Sequence, residues 1–130
     1  MWMMDRAGGA EGREDSGILI ALSEARRERL DLPVTFDRRE LDQILHVYGM
    51  MVAAGEWRDY AIDHLREQAV FSVYRRASEV PLFRIVKTPK LRARQGAYSV
   101  VAATGSILKR GHELARVLGV FDSKLKLVKA

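Results

Sequence analysis

Residues 36–55 constrain the fold more than any other stretch. Asp37 is a good helix N-cap, and Glu40 stands three residues later, the spacing of a capping box. Phe36 just before the cap and Leu41 just after Glu40 have the spacing of a hydrophobic staple. Leu41, Ile44, Leu45, Tyr48, Met51 and Val52 then recur at intervals of three and four, which puts them on one helical face. Gly55 is a natural stop, because glycine takes left-handed backbone after a last turn without steric cost. The pattern predicts a helix over 38–54, about 25 Å long at 1.5 Å per residue. Such a one-sided helix has to bury its stripe against a second layer.

The period changes after Gly55. Ala69 to Arg76 is rich in β-formers, with Phe71 and Val73 alternating against Ser72 and Tyr74. Ala77, Ser78 and Glu79 suit a short turn, and Pro81 can open a return strand that Leu82 to Lys87 continues. Upstream, Tyr60, Ile62 and His64 alternate with Ala61, Asp63 and Leu65. A strand over 59–65 fits, giving a meander, and is preferred. A helix also fits, since Trp57, Ala61 and Leu65 are four apart. Thr88 to Gly96 is a basic connector. Tyr98 to Ala103 reads as a strand, Thr104-Gly105 as a tight turn and Ser106 to Arg110 as the return.

Gly111 is expected to break that return strand. Leu114, Val117, Leu118 and Phe121 then form a second helical stripe. A competing reading starts this helix at Ser106 and tolerates Gly111 inside it, at about 1 kcal/mol relative to alanine. Leu125 and Leu127 alternate with lysines and suit a short edge strand. The fold class expected is α+β: an antiparallel sheet of four to five short strands, a long helix ahead of it and a C-terminal helix. That single domain is expected over 33–130. Residues 1–32 are expected to be a flexible or partly ordered N-terminal segment. Within it, 1–16 mixes glycines with charges and shows no apolar period. Residues 17–30 suit a helix capped by Ser16, or a short strand at Ile18 to Leu22, and Leu32-Pro33 ends the segment.

From Val34 onward the chain resembles the bacterial family catalogued as domain of unknown function 2794. Val34-Thr35-Phe36-Asp37-Arg38-Arg39-Glu40-Leu41 and Gly55-Glu56-Trp57-Arg58-Asp59-Tyr60-Ala61-Ile62-Asp63 carry the resemblance. Ala69 to Arg76, Gly96 to Val101 and Ile107 to His112 extend it. It spans about three quarters of the chain. It implies a bacterial, cytoplasmic protein, and it brings no activity and no catalytic residues to transfer.

Composition removes several function classes. The 130 residues are 48% hydrophobic, enough for one folded domain. There is no cysteine, so disulfides, thiolate metal sites and a cysteine nucleophile are excluded. The longest apolar runs, Ile18 to Leu22 and Met50 to Ala54, fall far below the roughly 18 residues a membrane span needs. Met1 to Met4 is followed by charges and glycines, which does not read as a signal peptide. A cytoplasmic protein that does not enter the membrane is the expectation.

No phosphate-binding loop and no Gly-x-Ser-x-Gly elbow is present. His46, His64 and His112 lack metal-ligand spacing, and each reads better as a surface residue of its element than as part of a shared site. Asp59 and Asp63 read as solvated surface. Hence no catalytic residue, metal or cofactor is assigned, and an enzyme is the less favoured class.

Charge is the best functional lead. The net charge is +5, yet residues 1–68 hold 9 Lys and Arg against 14 Asp and Glu, whereas 69–130 hold 13 against 3. A basic half suits nucleic acid or an acidic partner, although it can equally fold against the acidic half. The candidate nucleic-acid contacts are Arg75, Arg76 and Arg84 on the first hairpin, Lys87, Lys90, Arg92 and Arg94 along the connector, and Lys109 and Arg110 on the second hairpin. Tyr74, Phe83 and Tyr98 can stack unpaired bases if they face outward, and at least two of them are expected in the core. The leading expectation is a non-enzymatic module that contacts DNA or RNA. The alternative is a protein-interaction or regulatory module, such as a homodimer joined through an apolar N-terminal stripe or a free sheet edge.

Overall fold

The computed structural model describes residues 12–76 and 80–122, with side chains from Gly17 onward. It divides into two compact units, Met1–Leu32 and Pro33–Ala130. In the first, helix α1 spans Gly12–Arg29. This corrects one expectation and decides between two alternatives. Helix occupies 12–16, where an unpatterned tail was expected, so Ser16 lies inside it and not at its cap. Ile18 to Leu22 is helical and not a strand. Asp31 closes the segment with a positive φ of 58°.

The second unit is an α+β fold. Helix α2 spans Arg38–Ala53, and the expected capping box is complete. The Glu40 N–H donates to Asp37 Oδ1 at 2.8 Å, and the Asp37 N–H donates to Glu40 Oε1 at 2.7 Å. Gly55 has φ +80°, the left-handed geometry that ends the helix. The buried stripe is narrower than the sequence pattern: Ile44 and Met51 are fully buried and Leu41 and Tyr48 partly so, whereas Leu45 and Val52 are exposed.

Five strands follow, β1 Asp59–His64, β2 Ala69–Tyr74, β3 Phe83–Lys87, β4 Tyr98–Ala102 and β5 Ile107–Gly111. They form one antiparallel sheet in the order β1-β2-β3-β4-β5, a continuous meander. The strand preferred over 59–65 is therefore present, and the helical alternatives over 57–65 and from Ser106 are not. Pro81 stays outside the sheet, since β3 begins at Phe83, and Gly111 belongs to β5. The turn expected at 77–79 and the strand expected at 125–127 lie outside the described residues.

Register decides which residues share a face. One face carries Tyr60, Val73, Phe83 and Ala102 in one row, then Ile62, Phe71, Ile85, Val100 and Lys109, then His64, Ala69, Lys87, Tyr98 and Gly111. The core forms against this face. Phe71, Val73, Ile85 and Val100 cluster with Ile44 and Met51 of α2 and with helix α3, Leu114–Leu118, and the 3-10 turn Gly119–Phe121 that continues it. Aromatic rings tie the layers: Trp57 meets Phe121 edge-on at 4.9 Å, and Tyr60 stacks on Phe71 at 4.8 Å. The opposite face carries Ser72, Arg84 and Val101 in one row and Val70, Val86, Ser99 and Arg110 in the next. The β4–β5 register slips between Val100 and Val101, a bulge that leaves Leu108 without a partner.

The connector after β3 holds a 3-10 turn, Pro89–Leu91. It returns through Gly96, whose φ is +103° and whose missing Cβ would lie 2.2 Å from the Gly111 carbonyl carbon. Only glycine lets the two backbones approach so closely.

Candidate functional site

The nine basic residues singled out from the sequence do not form one surface. Lys87 ends β3 on the core face and is 7% exposed, so the expectation of a connector cation open to solvent is corrected. Its Nζ donates to Glu40 Oε1 at 2.8 Å and to the Thr35 carbonyl at 2.9 Å. Glu40, 6% exposed, also accepts from the Tyr98 hydroxyl through Oε2. Burial, reinforced by the Glu40 carboxylate, pushes the Tyr98 hydroxyl well above its ordinary value of 10.0. The capping glutamate of α2 is thus locked to β3 and β4. Each charged or polar group in this network has partners, which marks it as a structural tie between helix and sheet.

The other cations are distributed around the fold. Lys90 pairs with Glu67 at 3.4 Å, both side chains well exposed. Arg92 is half-buried and Arg94 exposed on the connector, and Arg110 donates to Gln95. Arg84 is exposed on the face away from the helices. Lys109 is exposed at the β5 edge, opposite Val100 and so on the helix-bearing face. Of the three aromatics, Phe83 packs against Trp57 and Phe121, and Tyr98 is bound to Glu40. Tyr74 alone shares a face with Arg84.

Arg75 and Arg76 are brought into a defined setting. They follow β2 at the end of the sheet where β1 begins. The Arg58 N–H donates to the Tyr74 carbonyl at 2.8 Å, which carries the pairing one residue past Asp59 and sets Arg58 beside Arg75. The three arginines line one cleft of about 430 Å³ with Val52, Gly55 and Trp57. All three are exposed, and among the described residues none of them forms an ion pair. Guanidinium groups so placed present several N–H donors to a planar or tetrahedral oxyanion. Sequence reading missed Arg58. The signal was available in the hairpin: pairing 59–64 with 69–74 extends to 58 and 75.

A second cleft of about 390 Å³ lies between α2 and α3, bordered by Asp42, His46 and Asp122 over Val47 and Leu118. His46, His64 and His112 are all exposed, and among the described residues no group of three or more His, Asp or Glu is placed to hold a metal ion. No described helix is long and apolar enough to cross a membrane. Comparison with known families matches residues 34–118 to the family described as protein of unknown function (DUF2794). No curated protein and no solved structure matches the chain.

Proposed function

The chain belongs to the DUF2794 family, and we propose that it is a non-enzymatic binding module that contacts nucleic acid through its basic second half. The observation that carries this reading is the cleft in which Arg75 and Arg76 are joined by Arg58 beside the Trp57 ring. Phosphate oxygens are the ligand atoms that exposed arginines suit best, and a nucleic-acid backbone offers them in series. The contact is narrower than the basic set read from the sequence. Arg75 and Arg76 are its centre, Lys87 is withdrawn into the core, and Lys90 is engaged by Glu67. The C-terminus of α2, whose carbonyls carry partial negative charge, lies at the same cleft through Val52 and Gly55.

The test is anisotropy of labelled single- and double-stranded DNA and RNA, titrated with the full chain at several salt concentrations. Binding should weaken steeply with salt. On a duplex the slope is roughly −0.9 per phosphate contact, so about −3 for a three-arginine site. Arg58→Ala, Arg75→Ala and Arg76→Ala should each weaken binding on every sequence and reduce the slope by about one. Absence of binding at low salt, or a slope that none of the three substitutions moves, overturns the reading.

A further inference from the structure

Helix α1 keeps its aliphatic residues in solvent. Ile18, Leu19 and Leu22 are 59%, 63% and 62% exposed. An isolated helix of 18 residues, about 27 Å long, is marginal in water, and Gly17 weakens it further. Its sequence supplies a partner. Counted inward from both ends to a point between Ile20 and Ala21, three of the five mirror pairs that carry charge join opposite signs, while Gly12–Arg29 and Gly17–Glu24 carry one charge each. Arg13 mirrors Glu28, Glu14 mirrors Arg27, Asp15 mirrors Arg26, and Leu19 mirrors Leu22. Asp15, Leu19, Leu22 and Arg26 also fall at i, i+4, i+7 and i+11, a single stripe of an α-helix. That stripe is apolar in the middle, acidic at its N-terminal end and basic at its C-terminal end.

We infer that α1 is a self-association element that pairs antiparallel with α1 of a second copy of this chain. A two-fold axis near Ile20 sets Leu19 and Leu22 of one copy against Leu22 and Leu19 of the other. At both ends it sets the Asp15 position of one copy against the Arg26 position of the other. A parallel pair would set Asp15 against Asp15 and Arg26 against Arg26, so the charge pattern selects the antiparallel arrangement. The inference stands apart from the arginine cleft, which lies in the other unit.

Sedimentation equilibrium of the full chain tests it. Two 18-residue helices form a small interface, so the weight-average mass should rise from one copy to two over about 1–300 μM. Leu19→Asp combined with Leu22→Asp should hold the chain monomeric throughout that range. Asp15→Arg alone and Arg26→Asp alone should each weaken association about tenfold or more, and the two together should restore it to within about threefold. Thermal unfolding of each variant checks that the unit from Pro33 onward is undisturbed. A wild-type chain that stays monomeric, a dimer indifferent to the single charge changes, or a double swap that fails to restore association overturns the inference.

Discussion

Lys87→Met should be among the most destabilising single substitutions in the domain. The ammonium group lies on the core face of the sheet, and its two hydrogen bonds run to Glu40 at 2.8 Å and Thr35 at 2.9 Å. Methionine fills similar space but leaves both acceptors behind. The Glu40 carboxylate then stays 6% exposed with only the Asp37 N–H and the Tyr98 hydroxyl as donors. Breaking a buried ion pair from one side costs about 3–5 kcal/mol, because the remaining charge is stranded away from water. For a domain of roughly 100 residues, 1 kcal/mol corresponds to about 4–8 °C, so the unfolding midpoint should fall by about 12 °C or more. Urea unfolding followed by circular dichroism measures the loss directly. Adding Glu40→Gln to Lys87→Met should cost less than the two separate losses combined, since the second change removes the stranded charge. A loss below about 1 kcal/mol for Lys87→Met, or strictly additive losses in the pair, refutes the assignment of Glu40 and Lys87 as a coupled buried pair.

Three further outcomes follow from the same geometry. Asp37→Ala removes the Oδ1 acceptor at the start of α2 and should cost about 1 kcal/mol by denaturant unfolding. Gly96→Ala meets both a φ of +103° and a Cβ position 2.2 Å from the Gly111 carbonyl carbon, so its cost should be at least about 2 kcal/mol, read as a lowered thermal midpoint. The raised folded-state ionisation of Tyr98 means that the folded protein holds this proton more tightly than the unfolded chain. Its stabilising contribution is complete below pH 10, the ordinary tyrosine value, and is lost as pH rises from there towards the folded value. Stability measured above pH 10 should therefore fall less steeply in Tyr98→Phe than in the wild type, and equal slopes would count against the Tyr98–Glu40 contact.

Helix α2 and the strand order were legible in the sequence because the forces that set them are local. The Asp37–Glu40 reciprocal cap spans three residues, and Gly55 marks the end of the same helix. Alternation such as Phe71-Ser72-Val73 names a strand, and short connections make neighbouring strands antiparallel partners. Helix α1 was harder to read at its start. Glycines and charges over 12–16 give no apolar period, and the aliphatics beyond them stay exposed, so no buried face imposes one. The fate of individual charges was decided only by the tertiary structure. Lys87 and Arg84 are both cations on β3, but the strand's alternation sends them to opposite faces. Which face is the core depends on where α2 and α3 pack, and so does the partner that makes burial of Lys87 tolerable, Glu40 at 47 positions' separation. Arg58 likewise gains its meaning only beside Arg75 and Arg76, once β1 is registered against β2. Periodicity is carried by neighbours in the chain, whereas the burial or exposure of a charge is set by neighbours in space.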